Sequence, residues 1–313
     1  RRITRARSAK SGAAPPARTM ASSTRSATSG RPAPSSTCRA GSVGWRHRWA
    51  FRLFGGRAPA PASCLQGRAI RLNWWNPIPN LGDAVSPLIV SHLSGRPVVH
   101  TADRARGKLV AVGSILNRAR DGDVVWGSGL ISAESRPKGT RLLVTAVRGP
   151  RTAARLRGLG IDCPDIFGDP GCLLPRLYPR PPGTTPRHEL GVIPHHRDQE
   201  LVASRDPAIR LVDIMSGPEA FLAALWDCRR VVSSSLHGII FAEAYGIPAH
   251  WLELSDRVLG GGHKFADYYE GTGRACPAPL MLATISAEPA WTPPAAGGAD
   301  RLATAFPFPR LPA

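Results

Sequence analysis

The first 68 residues contain no aspartate or glutamate, although they hold fourteen lysines and arginines. This one-sided stretch carries most of the formal charge of +19, and beyond it the excess falls to +5. A strongly basic chain would ordinarily point to nucleic acid or an anionic membrane. Here the remainder is only mildly basic, and the basic arm lacks an aromatic-interleaved motif, so no nucleic-acid partner is expected. Residues 1–68 are rich in Arg, Ser, Ala, Pro and Gly, with one short apolar cluster of Trp45, Trp49, Phe51, Leu53 and Phe54. Such a composition buries too little apolar surface to offset chain entropy, so a disordered basic leader is expected. No uninterrupted apolar core follows a basic start, which excludes a signal peptide. The acid-free Arg/Ser composition is shared with transit peptides. The start at Arg1 rather than Met fits a leader that is not native, translated from GC-rich DNA upstream or in another frame.

Other absences narrow the function. The six cysteines include no Cys-x-x-Cys pair, so neither a zinc site nor a disulfide framework is indicated, and reduced cytosolic thiols are expected. No run approaches the roughly 20 apolar residues of a membrane helix, which leaves at most peripheral membrane contact. Neither GxGxxG nor GxxxxGK[ST] occurs, so dinucleotide and P-loop nucleotide sites lose support. Internal repeats are absent.

What is present begins at Ala69. Short apolar runs alternate with amphipathic stretches, as in an α/β fold with a mostly parallel sheet. Strands are expected at Ala69–Trp75, Pro97–Thr101, Lys108–Gly113, Val124–Gly127 and Leu142–Val147. Helices are expected from Leu81 to a stop at Gly95, and over Pro150–Leu159 with proline in its first turn. The proline-rich run PRLYPRPPGTTPR, from Pro175, reads as a boundary. A second series follows: strands Leu190–Pro194, Ile209–Met215, Arg230–Ser233 and Pro248–Leu252, with helices Pro218–Asp227 and Leu236–Tyr245. The expected architecture is two Rossmann-like lobes facing a cleft, residues 69–178 and 187–275. A loosely ordered Pro/Ala-rich tail, 276–313, would carry one helix near MLATISAE.

The strongest chemical feature is VVSSSLHGIIFAEAYGIP, Val231–Pro248, which reads strand, polar turn, helix, glycine stop. Ser234, Ser235 and His237 fall where a strand's carboxyl end meets a helix amino terminus, a favourable place for phosphate or carboxylate. The plainer alternative is that the serines cap the helix and His237 packs locally. Asp83 in NLGD sits at another strand-to-helix turn, as an N-cap or a catalytic carboxylate. Gly127, Ser128 and Gly129 form a glycine-rich turn that permits close backbone approach to a ligand. Arg148, at a strand end beside a helix start, could grip an anion bidentately or be an ordinary surface arginine. Asp169 in FGDPG is explained by turn chemistry. His195 and His196 have no spaced carboxylate or cysteine partner, which favours ligand hydrogen bonding over metal. GGGHKFADYYEGTGR, Gly260–Arg274, reads as a solvated loop or as a mobile cover bringing Lys264 to an anionic substrate.

Taken in order, NLGD, GSG, Arg-Gly-Pro, GDPG, PHH, SSSLHG with FAEAYGIP, and KFADYY resemble the polysaccharide pyruvyl transferase family, particularly its bacterial exopolysaccharide branch. The likeness spans about residues 70–274. It implies a two-lobed fold like GT-B glycosyltransferases, with phosphoenolpyruvate as donor and release of phosphate. The product would be a pyruvate ketal on a sugar diol of an exopolysaccharide or lipid-linked oligosaccharide. Metal-free, cofactor-free chemistry in the cytoplasm, with at most peripheral contact at the inner membrane face, is implied likewise. His237 matches the histidine of the family's Leu-His-Gly motif, and Arg148 matches an arginine before the first lobe's last helix. Several members carry arginine directly before Leu-His, where this chain has Ser235. Lys264, Arg148 or His195 must then supply that cation. Ketal formation needs cations for the donor's two anionic ends, a proton for its methylene carbon and a carboxylate near the cationic centre. Arg148, His237 and Lys264 are expected at the anions, with Asp83 or His195 in acid/base work. The competing readings are a GT-B glycosyltransferase using a nucleotide sugar and a non-catalytic scaffold binding glycan precursors.

Overall fold

The computed structural model describes residues 3–4, 69–78, 80–204, 207–285 and 289–307. The leader expected over residues 1–68 lies outside them except for Ile3–Thr4, whose backbone pairs antiparallel with Ala203–Ser204.

Ten further strands form two five-stranded sheets. The first contains β1 Ile70–Asn73, β2 Val98–His100, β3 Leu109–Val110, β4 Val124–Trp126 and β5 Leu143–Ala146, in the order β2-β1-β3-β4-β5. The second contains β6 His188–Ile193, β7 Ile209–Leu211, β8 Cys228–Ser233, β9 Ala249–Glu253 and β10 Leu280–Met281, in the order β7-β6-β8-β9-β10. Every pairing within both sheets is parallel. The two orders are the same doubly wound pattern, with a reversal between the first and third strands of each sheet. This is the expected α/β class with parallel sheets, compatible with a Rossmann-like or GT-B-like fold.

The helices follow their local signals. Helix α1, Leu81–Ser94, is capped by the Asn80 side chain, which accepts from the Asp83 N–H, and stops at left-handed Gly95 with φ 62°. Helices α2 (Pro150–Arg157) and α4 (Pro218–Trp226) both start on proline, whose fixed φ suits the first helical turn and whose missing N–H costs nothing there. Between them α3, Leu174–Leu177, leads into the proline-rich connection to β6. Helix α5, Leu236–Ala244, is apolar nearly all round, as a helix buried on every side must be.

One continuous core runs from Ile70, Leu72 and Trp126 on the first sheet to Val231 and Phe241 on the second. Smaller cores around Val110, Val125 and Leu156, and around Val192, Val232 and Leu252, cover the remaining faces. Both faces of each sheet are thus buried, as parallel sheets require.

Two expectations need correction. The segment after Gly260 is not a solvated loop or mobile cover but helix α6, His263–Gly271, with Lys264, Phe265, Asp267, Tyr268 and Tyr269 all buried. The tail is not loosely ordered throughout. It supplies strand β10 and helix α7, Gly298–Thr304, where Leu302 is fully buried and accepts a 2.8 Å hydrogen bond from the Trp126 indole. Leu302 and Phe306 against the Trp126 indole, with Arg176 donating to Asp300 at 2.7 Å, hold a segment that composition alone would leave loose.

Candidate functional site

In a doubly wound sheet the loops leaving the first and third strands diverge to opposite faces and open a crevice at the strands' carboxyl ends. Both sheets turn that crevice toward a common pocket of about 180 Å³. The first sheet contributes Trp75, Asn80 and Asp83 after β1, and Gly113, Ser114 and Ile115 after β3. The second contributes His195, His196 and Arg197 after β6, Ser235 and His237 after β8, and Lys264 from α6. Of the sequence candidates, Asp83, His195, His196, Ser235, His237 and Lys264 therefore meet in one place.

His237 occupies the first turn of α5, as expected. Its ring stacks on Phe241 at 5.7 Å and packs against two glycines that leave room for it. A β-carbon on Gly82 would lie 2.7 Å from the ring's Cγ, and one on Gly113 3.5 Å from its Cε1. His237 Nε2 lies 3.8 Å from the buried Asp169 carboxylate. Asp83 is not the N-cap of α1, since Asn80 fills that place and donates through Nδ2 to Asp83 Oδ2 at 2.9 Å. Burial holds the Asp83 carboxyl above the usual carboxylate range, against the opposing pull of His237 and the Asn80 hydrogen bond.

Lys264 is only 7 % exposed, and among the described residues no oxygen hydrogen-bonds or ion-pairs with its ammonium. Burial lowers it to about 8, with Arg148 adding to the shift and Asp83 opposing it. It therefore remains mostly charged at neutral pH. Burial, then the Lys264 charge, pushes His195 down to about 3, and burial with Arg197 and Lys264 lowers His196. Both rings are neutral, which suits hydrogen bonding to hydroxyls rather than the gripping of anions. They lie against each other at 4.0 Å, and His196 stacks on Trp75 at 5.6 Å. Among the described residues no three His, Cys, Asp or Glu are grouped to hold a metal ion. Leu236 and His237, the first residues of α5, also line the pocket, at the positive end of that helix's dipole.

Three expectations fall to packing. Arg148 does not reach the pocket wall. It is fully buried and donates to Asp267 Oδ2 at 3.0 Å, to the Leu130 carbonyl at 2.6 Å and to Ser114 Oγ at 2.6 Å. Its link with the site is Ser114, whose hydroxyl accepts from the guanidinium and is left free to donate into the pocket. Gly127, Ser128 and Gly129 do not line the pocket either. A β-carbon on Gly129 would lie 2.6 Å from Arg148 Nη2, one on Gly127 2.6 Å from the Pro170 ring, and Ser128 Oγ donates to the Gly113 carbonyl at 2.8 Å. Ser234 is spent internally, donating to Asp198 Oδ2 and accepting from the His195 N–H, each at 2.8 Å, which fixes the His195 turn. The capping expectation for the serines is not met: Ser235 stands at the N-cap position of α5, but no side-chain cap bond forms there.

Sequence reasoning passed over Trp75, Ser114, Arg197 and the role of Asp267. Asp267 binds Arg148, the Thr152 N–H at 2.9 Å and the Thr152 hydroxyl at 2.7 Å, and so pins α6 against the start of α2. No local pattern announces it, since its partners lie more than a hundred residues upstream.

The fold and site thus define an α/β protein with an anion-compatible pocket at the carboxyl ends of two parallel sheets. Residues 101–256 match the family described as polysaccharide pyruvyl transferase, and this half of the chain places it in that family. An uncharacterized protein of Acanthamoeba polyphaga mimivirus is 36 % identical over 165 residues, covering 50 % of this chain and 57 % of the viral protein. The chain therefore spans little more than half the length of that relative. The narrower expectation of a bacterial branch is not borne out, because this relative is viral.

Proposed function

We propose that the pocket transfers the pyruvyl group of phosphoenolpyruvate onto two hydroxyls of a sugar, forming a ketal and releasing phosphate. The acceptor is a glycan of an exopolysaccharide or its lipid-linked precursor, met in the cytoplasm or at the inner membrane face. In this reading the two sheets are the lobes of a GT-B-like cleft, and no resident cofactor takes part. The observation that carries it is the buried Lys264 ammonium, which makes no close ion pair among the described residues, in the same wall as the α5 amino terminus and a carboxyl of raised pKa.

The chemistry follows from these residues. Lys264, the Ser235 and Ser114 hydroxyls and the α5 N–H groups bind the donor's phosphate and carboxylate. Asp83, whose carboxyl burial shifts toward the protonated form, delivers a proton to the methylene carbon, which becomes the methyl group. One sugar hydroxyl bonds to the adjacent carbon as His237 takes its proton. The Asp83 carboxylate left behind then stabilises the cationic centre as the C–O bond to phosphate breaks, and Lys264 balances the departing charge. The second hydroxyl closes the ketal and gives its proton to the Asp83 carboxylate, while the proton taken by His237 passes to the departing phosphate, so both groups return to their starting states. The neutral His195–His196 pair and Trp75 hold the acceptor sugar, the rings against its C–H face and the imidazole nitrogens at its hydroxyls.

Calorimetric titration with phosphoenolpyruvate and with several nucleotide sugars tests the donor. Saturable binding of phosphoenolpyruvate, and phosphate release only when glycan acceptor is present, are expected. Binding of nucleotide sugars alone would instead make the protein a glycosyltransferase. Donor and acceptor binding without phosphate release would make it a scaffold.

A further inference from the structure

Asp169 lies in the tight turn FGDPG, and its Oδ1 does what that turn asks, accepting the Gly171 N–H at 2.9 Å. Its Oδ2 faces elsewhere. That oxygen accepts the Gly113 N–H at 3.1 Å and lies 3.8 Å from His237 Nε2. Asp169 is fully buried. Nε2 is likewise enclosed and has no hydrogen-bond partner, whereas Nδ1 is not among the enclosed unpartnered atoms. The two ring nitrogens thus differ. Nδ1 lies over Gly82, where any side chain would overlap it, and Nε2 faces a carboxylate across a gap slightly too long for a hydrogen bond.

An enclosed nitrogen without a partner is costly unless it carries a hydrogen toward an acceptor. Which imidazole nitrogen holds the hydrogen is set by the bond the other one makes, and such contacts commonly tighten when substrate binds. We propose that Asp169 is the positioning residue of His237: it accepts the Nε2 hydrogen, fixes that tautomer, and leaves the Nδ1 lone pair to take the proton of the acceptor hydroxyl. The carboxylate thereby performs two tasks with separate oxygens, one shaping its own turn and one aiming the base. The identity of the hydroxyl rests on the pyruvyl-transfer reading, but the pairing of Asp169 with His237 does not.

Nitrogen-15 spectra of the full chain labelled at histidine test the pairing directly, with the His237 signals assigned by their loss in His237→Gln. The wild type is expected to show His237 as the Nε2–H tautomer. In Asp169→Asn the tautomers are expected to mix, with kcat falling at least about tenfold while KM for phosphoenolpyruvate stays within about twofold. An Nδ1–H tautomer in the wild type overturns the proposal, and so does an Asp169→Asn protein with unchanged tautomer or unchanged kcat. Should that variant fail to fold, the wild-type tautomer alone decides. If the wild type makes no ketal from phosphoenolpyruvate yet shows the Nε2–H tautomer that Asp169→Asn disturbs, the pairing stands and the functional reading falls.

Discussion

Replacing Gly82 with alanine separates the stability of the fold from the placement of its histidine. Gly82 lies in the first turn of α1 with helical backbone geometry, so alanine is compatible with its conformation. On propensity alone the change should stabilise the helix by roughly 0.5–1 kcal/mol. The new β-carbon, however, would sit 2.7 Å from His237 Cγ, nearer still to Nδ1, and 3.0 Å from Asn80 Oδ1, where ordinary contact begins near 3.4 Å. The ring has little room to retreat, with Phe241 stacked on it and Asp169 next to Nε2. A displacement on the order of 1 Å in a catalytic group costs roughly 10²-fold in rate. The expected outcome is a Gly82→Ala protein that melts cooperatively within a few degrees of wild type, binds phosphoenolpyruvate through Lys264, and releases phosphate about a hundredfold more slowly. Thermal melting, calorimetry and a phosphate-release assay read the three quantities. Wild-type turnover would refute the reasoning, because the pocket would then tolerate His237 elsewhere.

Further outcomes follow from the burial of charge. Lys264→Met should raise KM for phosphoenolpyruvate roughly 10- to 100-fold, the worth of one hydrogen bond to a charged group, with a smaller effect on acceptor KM. Because Lys264 titrates near 8 in the folded protein and near 10.5 unfolded, the unfolded chain binds the extra proton between those values. Stability should accordingly rise with pH across that window in the wild type and rise less in Lys264→Met, as denaturant midpoints would show. Asp83→Asn should abolish turnover by about 10²- to 10⁴-fold. Yet it should not destabilise the protein at neutral pH, since burial already penalises the ionised carboxyl; a marked loss of stability would mean that Asp83 is an ionised structural group. Asp267→Ala strands the Arg148 guanidinium without its partner in the interior and should cost about 3–5 kcal/mol in urea unfolding.

The sequence told most where chemistry and chain order coincide. His237 and Asp83 were legible because a strand's end, a polar turn and a helix's start stand in contiguous residues, and the geometry follows from adjacency. Helix starts at Pro150 and Pro218 and the stop at Gly95 were legible for the same reason. Arg148 was not. Its position at a strand end is what a ligand-gripping arginine would show, and only Asp267, 119 residues later, reveals that the guanidinium is already occupied. The glycines of GSG look alike whether they admit a ligand or the arginine's own side chain. Asp169 is legible only in part, because its Oδ1 partner is two residues away and its Oδ2 partner, Gly113, is fifty-six residues away. A local motif that accounts for one oxygen of a carboxylate says nothing of the other.

Ser235 stands directly before Leu236 and His237, at the start of α5. A cation missing at Ser235 had three candidate substitutes, and burial and pairing sort them. Arg148 is committed to Asp267 and reaches the pocket only through the Ser114 hydroxyl. His195 is held neutral by its own burial and by the Lys264 charge. Lys264 alone of the three lines the pocket while remaining mostly charged at neutral pH. Its place there depends on Asp267, one helical turn further along α6, which ties that helix to the start of α2 and takes up the Arg148 charge that would otherwise repel the ammonium more strongly. An arginine before Leu-His would stand on the loop that carries the histidine. In this chain the positive charge is delivered from a different helix, and the buried Arg148–Asp267 pair is what keeps it in position.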